Sequence, residues 1–542
     1  MLLRAIVMLS VHFLLCHSAL AADDISPRGA RGNWHQAAGP NGTWRVDGKP
    51  PVRWSVTRNE NIAWRTPLPE CGQSSVTVWG DKVFVTMHEP LQSLDDRFKA
   101  SDIVGCCLDS GSGELLWTIT LPGTQAMEPA GGFSDATVFA PITDGQHVWF
   151  FNRCGSMGCY DLKGKEVWRR VYKMRFKHSN RQCEPILVRG VILNVEVLDK
   201  EAGSKLKKFA AGSSNTVAVK LPKNVDPKSL WTYIHGIDAA TGKILWRETV
   251  GTSIHDTPVI GFTADGKPAI VHARGGGHGP LEKPYGISLT RLAAGHEGET
   301  IWSTPLSQFS PVFSNHWDAE SVYAFAGGQH IVLSTQTGKV IRRQQLYRSA
   351  DLWRFDQSRN DWVYETDAAV KVGKTSHPNT NHANIVAGDW HYFLSHDVHF
   401  IGRVHVKTGK VEYLEVPAQL VADREDRAKD RRLWGKGLKQ NRSTNTNGLA
   451  IGRKGHTGTG WGHISAASPT LVGRYLFFPV VTGTVYVIDT TVDRLSPKAL
   501  VAVNDLGLGG ETWTLSSLTF SQGRLFAHTM REVICIGRLP KQ

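Results

Sequence analysis

Polar residues recur, singly or in pairs, just before the valine-rich and aromatic-rich segments of the sequence. They are Gln73 and Ser74, Ser134 and Asp135, Gln182 and Glu184, His255 and Asp256, Gln308, Asn381 and His382, Trp461 and His463, and Ser516 and Ser517. Because imidazoles and carboxylates can transfer protons, the candidate catalytic residues are His255, Asp256, Glu184 and His382. The alternative is that the Ser, Thr and Asp side chains cap backbone groups at turns and strand starts.

A histidine-rich segment, NTNHANIVAGDWHYFLSHDVHF, contains His382, His391, His396 and His399. Such a concentration of imidazoles is typical of metal coordination. However, His391 and His399 are expected on different strands, with His396 in the turn between them. A shared coordination sphere would need an unusual fold back of the chain, so the sequence predicts no metal site.

The elements that must position these residues are copies of one short unit. IDAATGKILW, residues 237–246, returns as LDSGSGELLW at 108–117 and as YDLKGKEVW at 160–168, with looser copies further along. Glycine can adopt the positive φ that closes a hairpin, and Asp with Thr or Ser hydrogen-bonds the turn backbone. Each copy therefore predicts a turn between two antiparallel strands.

Between successive copies the same order of strands returns, which makes a four-stranded blade. The fourth strands fall at eight positions: Trp64, Trp117, Trp168, Trp246, Trp302, Ile341, Tyr413 and Leu500. The last segment, residues 514–537, supplies three strands, and residues 61–69 supply the fourth. We therefore expect an all-β, eight-bladed β-propeller of four-stranded antiparallel blades, closed by pairing of the N-terminal strand with the C-terminal strands.

Two insertions, residues 351–381 and 419–462, connect the outer strand of one blade to the inner strand of the next. In a propeller these connections lie on one face beside the central channel. We therefore expect both insertions to build a lid over a site, and the polar residues that precede the inner strands to ring the same channel mouth.

The N-terminal residues predict export. Met1 to Arg4, a mostly apolar run from Ala5 to Leu15 and the small residues near Ala21 indicate a signal peptide, residues 1–21, cleaved after Ala21. The expected location is periplasmic or secreted, with an N-terminal extension at 22–59 and the propeller at 60–542. No other segment approaches about 18 consecutive apolar residues, so no transmembrane segment is expected.

The formal charge of +13 comes from 62 basic and 49 acidic residues. Because no nucleic-acid-binding motif accompanies this charge, a solvated surface is favoured over nucleic-acid binding. We expect a monomer. Seven cysteines follow the predicted cleavage site, and because the number is odd at least one thiol is unpaired.

The unit xYxxDxxTGKxxW resembles the repeats of pyrroloquinoline-quinone-like (PQQ-like) β-propellers. That superfamily covers quinoprotein alcohol dehydrogenases and the outer-membrane assembly scaffold BamB. WHQAAGPNGT at 34–43, with the strands that follow it, is similar to a group of exported, mostly uncharacterised members. The resemblance implies the fold of nearly the whole mature chain and does not specify a reaction.

The resemblance gives the adjacent cysteines Cys106 and Cys107 a possible role. Quinoprotein alcohol dehydrogenases place a disulfide between adjacent cysteines against the cofactor ring, so this pair is the candidate cofactor-binding set for pyrroloquinoline quinone with calcium. The alternative is that strand neighbours point to opposite faces and pack between blades. No calcium-binding or catalytic motif of the family is matched.

The leading interpretation is an exported, noncatalytic binding or scaffold protein with a protein partner, or a small-molecule or glycan ligand, at the channel mouth. The alternative is a quinoprotein-type oxidoreductase acting on an alcohol or sugar, with Asp256 or Glu184 as the base. A third possibility, a polysaccharide hydrolase or lyase with His255 and Asp256 as an acid/base pair, has no specific support in the sequence.

Overall fold

The computed structural model describes residues 25–93, 96, 99–126, 135–174, 183–198, 226–275, 282–307, 309, 314–370, 383–395, 399–460, 463 and 467–539. Its helices are three short 3₁₀ turns: Pro227–Leu230, Arg427–Lys429 and Pro497–Ala499. In these ranges, no helix is both long enough and apolar enough to span a membrane.

Blades one to four are four-stranded antiparallel sheets. From the channel outward, their strands are Thr77–Trp79, Lys82–His88, Ile103–Asp109 and Leu115–Leu121; Ile142–Thr143, His147–Asn152, Ser156–Asp161 and Glu166–Val171; Ile186–Val188, Val191–Val197, Thr232–Asp238 and Ile244–Arg247; and Val259–Phe262, Pro268–Arg274, Gly286–Arg291 and Thr300–Pro305.

Blade five has three regular strands, and Trp317 bridges Val322 in place of a regular inner strand. The strands of blades five to eight are Ser321–Ala326, Gln329–Ser334 and Val340–Gln345; Asn384–Ala387, Trp390–Leu394, Phe400–His405 and Val411–Glu415; Thr470–Val472, Tyr475–Pro479, Thr484–Asp489 and Leu500–Asp505; and Thr519–Ser521, Arg524–Thr529, Glu532–Ile536 and Ile62–Pro67.

The predicted fold is confirmed. Each predicted fourth-strand position lies in the outer strand of its blade. Ile62–Pro67 pairs antiparallel with Glu532–Ile536, so the N-terminal strand completes the last blade and closes the ring. The first and last blades are thereby joined into one ring.

Tryptophans of the outer strands dock each blade against the next. Trp168 Nε1 donates to the Ala239 carbonyl oxygen in the following turn at 3.0 Å. Gly242, with φ of 72°, packs so close to this indole that an added Cβ would lie 2.8 Å from it. Three more tryptophans donate to the next blade's turn: Trp64 to Ser110, Trp117 to Leu162 and Trp302 to Thr335. The repeated glycine and tryptophan are thus contact partners between blades.

Residues 25–48 lie across the channel at the end where the inner strands turn into the second strands. Trp34 exchanges backbone hydrogen bonds with Val78 of blade one, at 2.9 and 2.8 Å. Arg45–Val46 then pairs in parallel with the inner strand of blade seven. Trp34 and Trp44 are fully buried. Residues 25–48 therefore cover the channel end opposite the mouth.

The first insertion is not the expected lid. Ala350–Asp356 and Asp361–Ala368 form a hairpin, and the first of these strands pairs in parallel with Val411–Glu415, the outer strand of blade six. The free backbone groups of that outer strand accept the hairpin as additional strands. The prediction of a lid is wrong for this hairpin, which extends blade six away from the channel. Residues 371–382 lie outside the described residues.

The second insertion, residues 419–460, is called the strap. Leu420 N–H donates to Thr484 Oγ1 of blade seven at 3.0 Å. Further along, the amide of Asn445 donates to Glu70, just before blade one, at 2.8 Å. The strap thus crosses the mouth-side ends of blades seven, eight and one, as expected for a lid.

Candidate functional site

The polar residues that precede the inner strands connect neighbouring blades around the channel mouth. Glu184 Oε2 accepts the Ala140 N–H at 2.9 Å, and Glu184 N–H donates to Thr257 Oγ1 at 3.0 Å. Asp256 Oδ1 accepts the amide of Asn315 at 3.2 Å. Both carboxylates are buried. Their hydrogen bonds link blades two, three, four and five.

Asp256 lies in a strongly desolvated environment. Burial raises the pKa of Asp256 well above its ordinary value, opposed by hydrogen bonds from Ala273 N–H and Asn315. The preceding His255 is also buried, and its backbone N–H donates to Ser253 Oγ at 3.1 Å. The structure therefore places Glu184, His255 and Asp256 near the mouth, and their catalytic assignment stays a prediction.

Several predicted mouth residues lie outside the described residues: Ser134, Gln182, Gln308, Asn381, His382 and Trp461. The candidate catalytic role of His382 accordingly remains a prediction. His396 is outside as well, whereas His391 and His399 are described and lie apart. His391 contacts His330, and His399 packs against His463 with ring centroids 5.0 Å apart.

Cys106 and Cys107 lie on the third strand of blade one, with both side chains fully buried. Cys107 packs between blades with Phe150 of blade two, and Cys106 packs on the other side with Phe526 of blade eight. Within the described residues neither forms a disulfide, and burial raises the pKa of each thiol to about 12. The two thiols enter opposite blade interfaces, so they do not fit a disulfide stacked on pyrroloquinoline quinone. We derive no reaction through that cofactor.

A cavity of about 510 Å³ opens between the strap and blades seven and eight. This volume is in the range of small-ligand sites. Its apolar wall includes Ile451, Leu508, Trp513 and Met530. Its charged groups are the guanidinium groups and carboxylates of Arg65, Arg424, Arg531, Glu511 and Glu532.

The arginines of the cavity differ in their partners. Arg65 binds both carboxylate oxygens of Glu532 at 2.8 Å. Within the described part of the chain, Arg424 and Arg531 form no ion pair with a carboxylate. Two guanidinium groups therefore remain available to an anion at this cavity.

Sequence reasoning missed a buried acid and histidine between blades three and four. His272 Nε2 lies 3.2 Å from Glu248 Oε2 and both side chains are fully buried. Burial lowers the pKa of His272 to about 3 and raises the pKa of Glu248 to about 8. Near neutral pH the imidazole is uncharged and the carboxyl group is largely protonated, which is typical of a desolvated structural contact.

A second missed group lies where blades eight, one and two meet. One ligand atom from each of Cys71, His88 and Asp135 lies within 4.8 Å of the others, and all three residues are buried. Asp135 precedes an inner strand and was noticed in the sequence. Cys71 and His88 belong to no recognisable motif, and only the fold brings them together: Cys71 precedes blade one, and His88 ends its second strand.

Comparisons with known proteins support the fold. A family model described as outer membrane protein assembly factor BamB matches residues 195–391. The quinohemoprotein alcohol dehydrogenase from Comamonas testosteroni is 12% identical, over 97% of this chain and 86% of its own, with a TM-score of 0.50. BamB from Moraxella catarrhalis is 11% identical, over 88% of this chain and 99% of its own, with a TM-score of 0.44. No curated protein matches this chain.

The resemblance to PQQ-like β-propellers that the repeats indicate is therefore confirmed. At 12% identity the quinohemoprotein alcohol dehydrogenase supports the architecture alone. The role of this chain must come from its own residues.

Proposed function

We propose that this chain is an exported, noncatalytic binding protein that captures an acidic segment of a partner protein in the cavity beneath the strap. The observation that carries the proposal is a cavity of about 510 Å³ with two arginines that have no carboxylate partner within the described residues. Export rests on the predicted signal peptide at residues 1–21, which lie outside the described residues.

The walls of the cavity suit a peptide better than a free ion. Trp513 and Met530 are buried and give the cavity an apolar floor, while Arg424 and Arg531 lie exposed at its rim. Aromatic and arginine side chains are the groups that most often dominate protein interfaces. An acidic side chain flanked by apolar residues would contact both parts of this surface.

The mouth residues give further support to a binding role. Glu184 and Asp256 are buried and link blades through backbone and amide hydrogen bonds. Cys106 and Cys107 pack between blades. These side chains hold the ring together, which makes the propeller a rigid support for the strap and its cavity.

The test measures binding of a fluorescent peptide in which Glu alternates with Leu, by anisotropy, to the full mature chain. Its Gln counterpart measures the contribution of charge. The double variant Arg424→Glu, Arg531→Glu should weaken binding by about tenfold or more, because it replaces two positive charges with two negative charges. A tenfold loss corresponds to about 1.4 kcal/mol of binding free energy. The free energy of unfolding should change little because both arginines are exposed.

Arg348→Glu is the matched control, because Arg348 is exposed outside this cavity and the substitution makes the same change in charge. It should retain affinity apart from a small effect of net charge. Equal binding of the Glu and Gln peptides, or equal losses in the cavity variant and the Arg348→Glu control, would show that the cavity is not the binding site.

A further inference from the structure

Three chemically different ligand atoms meet in the interior where blades eight, one and two join. They are Cys71 Sγ, a ring nitrogen of His88 and a carboxylate oxygen of Asp135, all within 4.8 Å of one another. Zinc binds sulfur at about 2.3 Å and nitrogen or oxygen at about 2.0–2.2 Å, which places ligand atoms around one ion roughly 3 to 4 Å apart. A small adjustment of side chains would therefore enclose one ion.

His88 is a buried histidine whose ring makes no hydrogen bond within the described residues. Its side chain is fully buried, and both ring nitrogens lack a hydrogen-bond partner. Nε2 lies 3.3 Å from Asp135 Oδ2, but the contact does not have hydrogen-bond geometry. A buried imidazole N–H without an acceptor destabilises the fold. Coordination would turn a ring nitrogen into a ligand and remove that cost.

The ligands are held by contacts outside the group. His88 N–H donates to the Cys71 carbonyl oxygen at 2.9 Å, which fixes these two residues side by side. Asp135 Oδ1 accepts the N–H and the hydroxyl of Thr137, at 2.9 and 2.6 Å, which directs Oδ2 towards His88. The Glu70 carboxylate accepts the Cys71 N–H at 2.8 Å. Such outer contacts orient the ligands of metal sites.

His528 of blade eight packs beside Cys71 but lies outside the group. Its Nδ1 lies 2.8 Å from the Ser74 carbonyl oxygen. A Cβ added to Gly72, next to Cys71, would lie 2.8 Å from Cε1 of this ring. Among the described residues, the ligand atoms within 4.8 Å of one another are those of Cys71, His88 and Asp135.

We propose that Cys71, His88 and Asp135 bind one zinc-class divalent cation. Thiolate and imidazole ligands favour zinc, whereas calcium and magnesium prefer oxygen ligands throughout. The thiolate and the carboxylate balance the two positive charges of the ion. Binding releases the Cys71 thiol proton to solvent, and no bond other than this S–H bond is broken. This site is separate from the peptide cavity and does not rest on the proposed function.

The site joins two neighbouring blades. Cys71 precedes the inner strand of blade one, His88 ends its second strand, and Asp135 precedes blade two. A bound ion therefore fastens these two blades together.

The first test uses the full mature chain freed of metal with a chelator and then titrated with cobalt. We expect about one cobalt ion per chain and the near-ultraviolet absorption of a cobalt–thiolate bond, both abolished by an excess of zinc. Absence of stoichiometric cobalt binding, or cobalt binding without thiolate absorption, would overturn the proposal. This result does not depend on the folding of any variant.

Two substitutions then assign the ligands. Cys71→Ser should abolish the thiolate absorption, whereas Cys107→Ser, at a buried cysteine of the same blade outside the group, should retain it. His88→Gln should weaken zinc binding by more than the roughly tenfold to hundredfold typical of losing an outer partner, measured by competition with a chelating dye. An unchanged spectrum in Cys71→Ser, or an unchanged zinc affinity in His88→Gln, would overturn the proposal.

Discussion

Two groups of buried histidines in this propeller differ in what their ring nitrogens contact. Between blades five and six, His330 Nε2 lies 3.1 Å from His391 Nδ1, and His391 Nε2 lies 2.9 Å from Asn384 Oδ1. His316 Nε2 lies 3.2 Å from the Asn384 carbonyl oxygen. Every imidazole N–H of this group can therefore donate to an acceptor. In the group of blades eight, one and two, neither nitrogen of His88 has a hydrogen-bond partner.

The difference shows that burial and histidine number do not identify a metal site. Both groups are desolvated, but the first is a hydrogen-bonded part of the core in which each ring keeps its proton. The second brings a thiol and a carboxylate next to an imidazole that makes no hydrogen bond. The complementary chemistry of the neighbours is what distinguishes a ligand set from a polar core.

The largest expected effect is a difference in the free energy of unfolding between a variant of the first group and a variant of the second. In metal-free protein, His391→Leu should lower the free energy of unfolding by about 2–4 kcal/mol, because it removes the acceptor of the His330 N–H and the ring that contacts Asn384 Oδ1 in the interior. His88→Leu should cost clearly less, since it removes no hydrogen bond. Urea denaturation in the presence of a chelator measures both values.

The same experiment can show that the two groups of histidines do not differ in this way. If His88→Leu in chelator destabilises the protein as much as His391→Leu, then His88 makes a stabilising contact in the metal-free state. Its imidazole would then be a structural part of the core, and the comparison between the two groups would be lost.

The second prediction concerns pH. Burial, followed by the charge of Arg342, lowers the pKa of His330 to about 3, from about 6.5 in the unfolded chain. Between about pH 3 and pH 6.5 the unfolded state therefore binds more protons at His330 than the folded state does. The contribution of the uncharged His330 to stability is complete above about pH 6.5 and is lost progressively as the pH falls towards about 3.

At pH 5.5 the loss from His330 should be about 1.4 kcal/mol relative to pH 7, because one pKa unit corresponds to about 1.36 kcal/mol. His330→Leu should show a correspondingly shallower decline in the free energy of unfolding, measured in chelator. His296→Gln, at an exposed histidine, is the control and should keep the wild-type slope. A wild-type slope in His330→Leu would mean that this imidazole is protonated in the folded protein.

The smallest expected effect links the strap to the proposed metal site. Asn445 donates to Glu70 Oε2 at 2.8 Å, and Glu70 Oε1 accepts the Cys71 N–H. Because Asn445 acts on the ligand through one further residue, Asn445→Ala should weaken zinc binding by only a few-fold, less than the loss of a direct outer partner. Asn447→Ala, whose amide contacts the Leu91 carbonyl oxygen instead, is the control. Equal zinc affinities in both variants would show that the strap does not influence zinc binding through Asn445.

The periodic part of the fold was predictable from the sequence. Gly242 and Trp168 belong to copies of one unit, and their contact between blades explains why both recur. Asp238 accepts hydrogen bonds from the N–H groups of Ala240 and Thr241, as the turn chemistry predicts. Such local patterns carry their own structural meaning, so they identified the eight blades and the ring closure.

The hairpin of blade six was missed although it had a local signal. LWRFD at 352–356 and WVYET at 362–366 are rich in the aromatic and β-branched residues that strands favour. They lie between two blades, and no repeat indicated that blade six would have additional strands. The position of a segment between repeats was therefore a poor guide to its structure.

The side-chain groups could not be predicted for a different reason. His330 and His391 lie on different blades, as do Cys71 and Asp135, so their proximity depends on packing between blades. Periodicity specifies which strand carries a residue, but it does not specify which residue faces it across the interface. The cavity beneath the strap likewise depends on an insertion that follows no repeat.

The most direct measurement is the zinc dependence of thermal unfolding in wild type, His88→Leu and His391→Leu, each starting from metal-free full-length protein. A ligand that binds the folded state raises its stability by mass action. The account predicts that zinc raises the unfolding temperature of wild type and of His391→Leu, and leaves His88→Leu unchanged. No zinc effect in wild type, or an equal effect in His88→Leu, would contradict it.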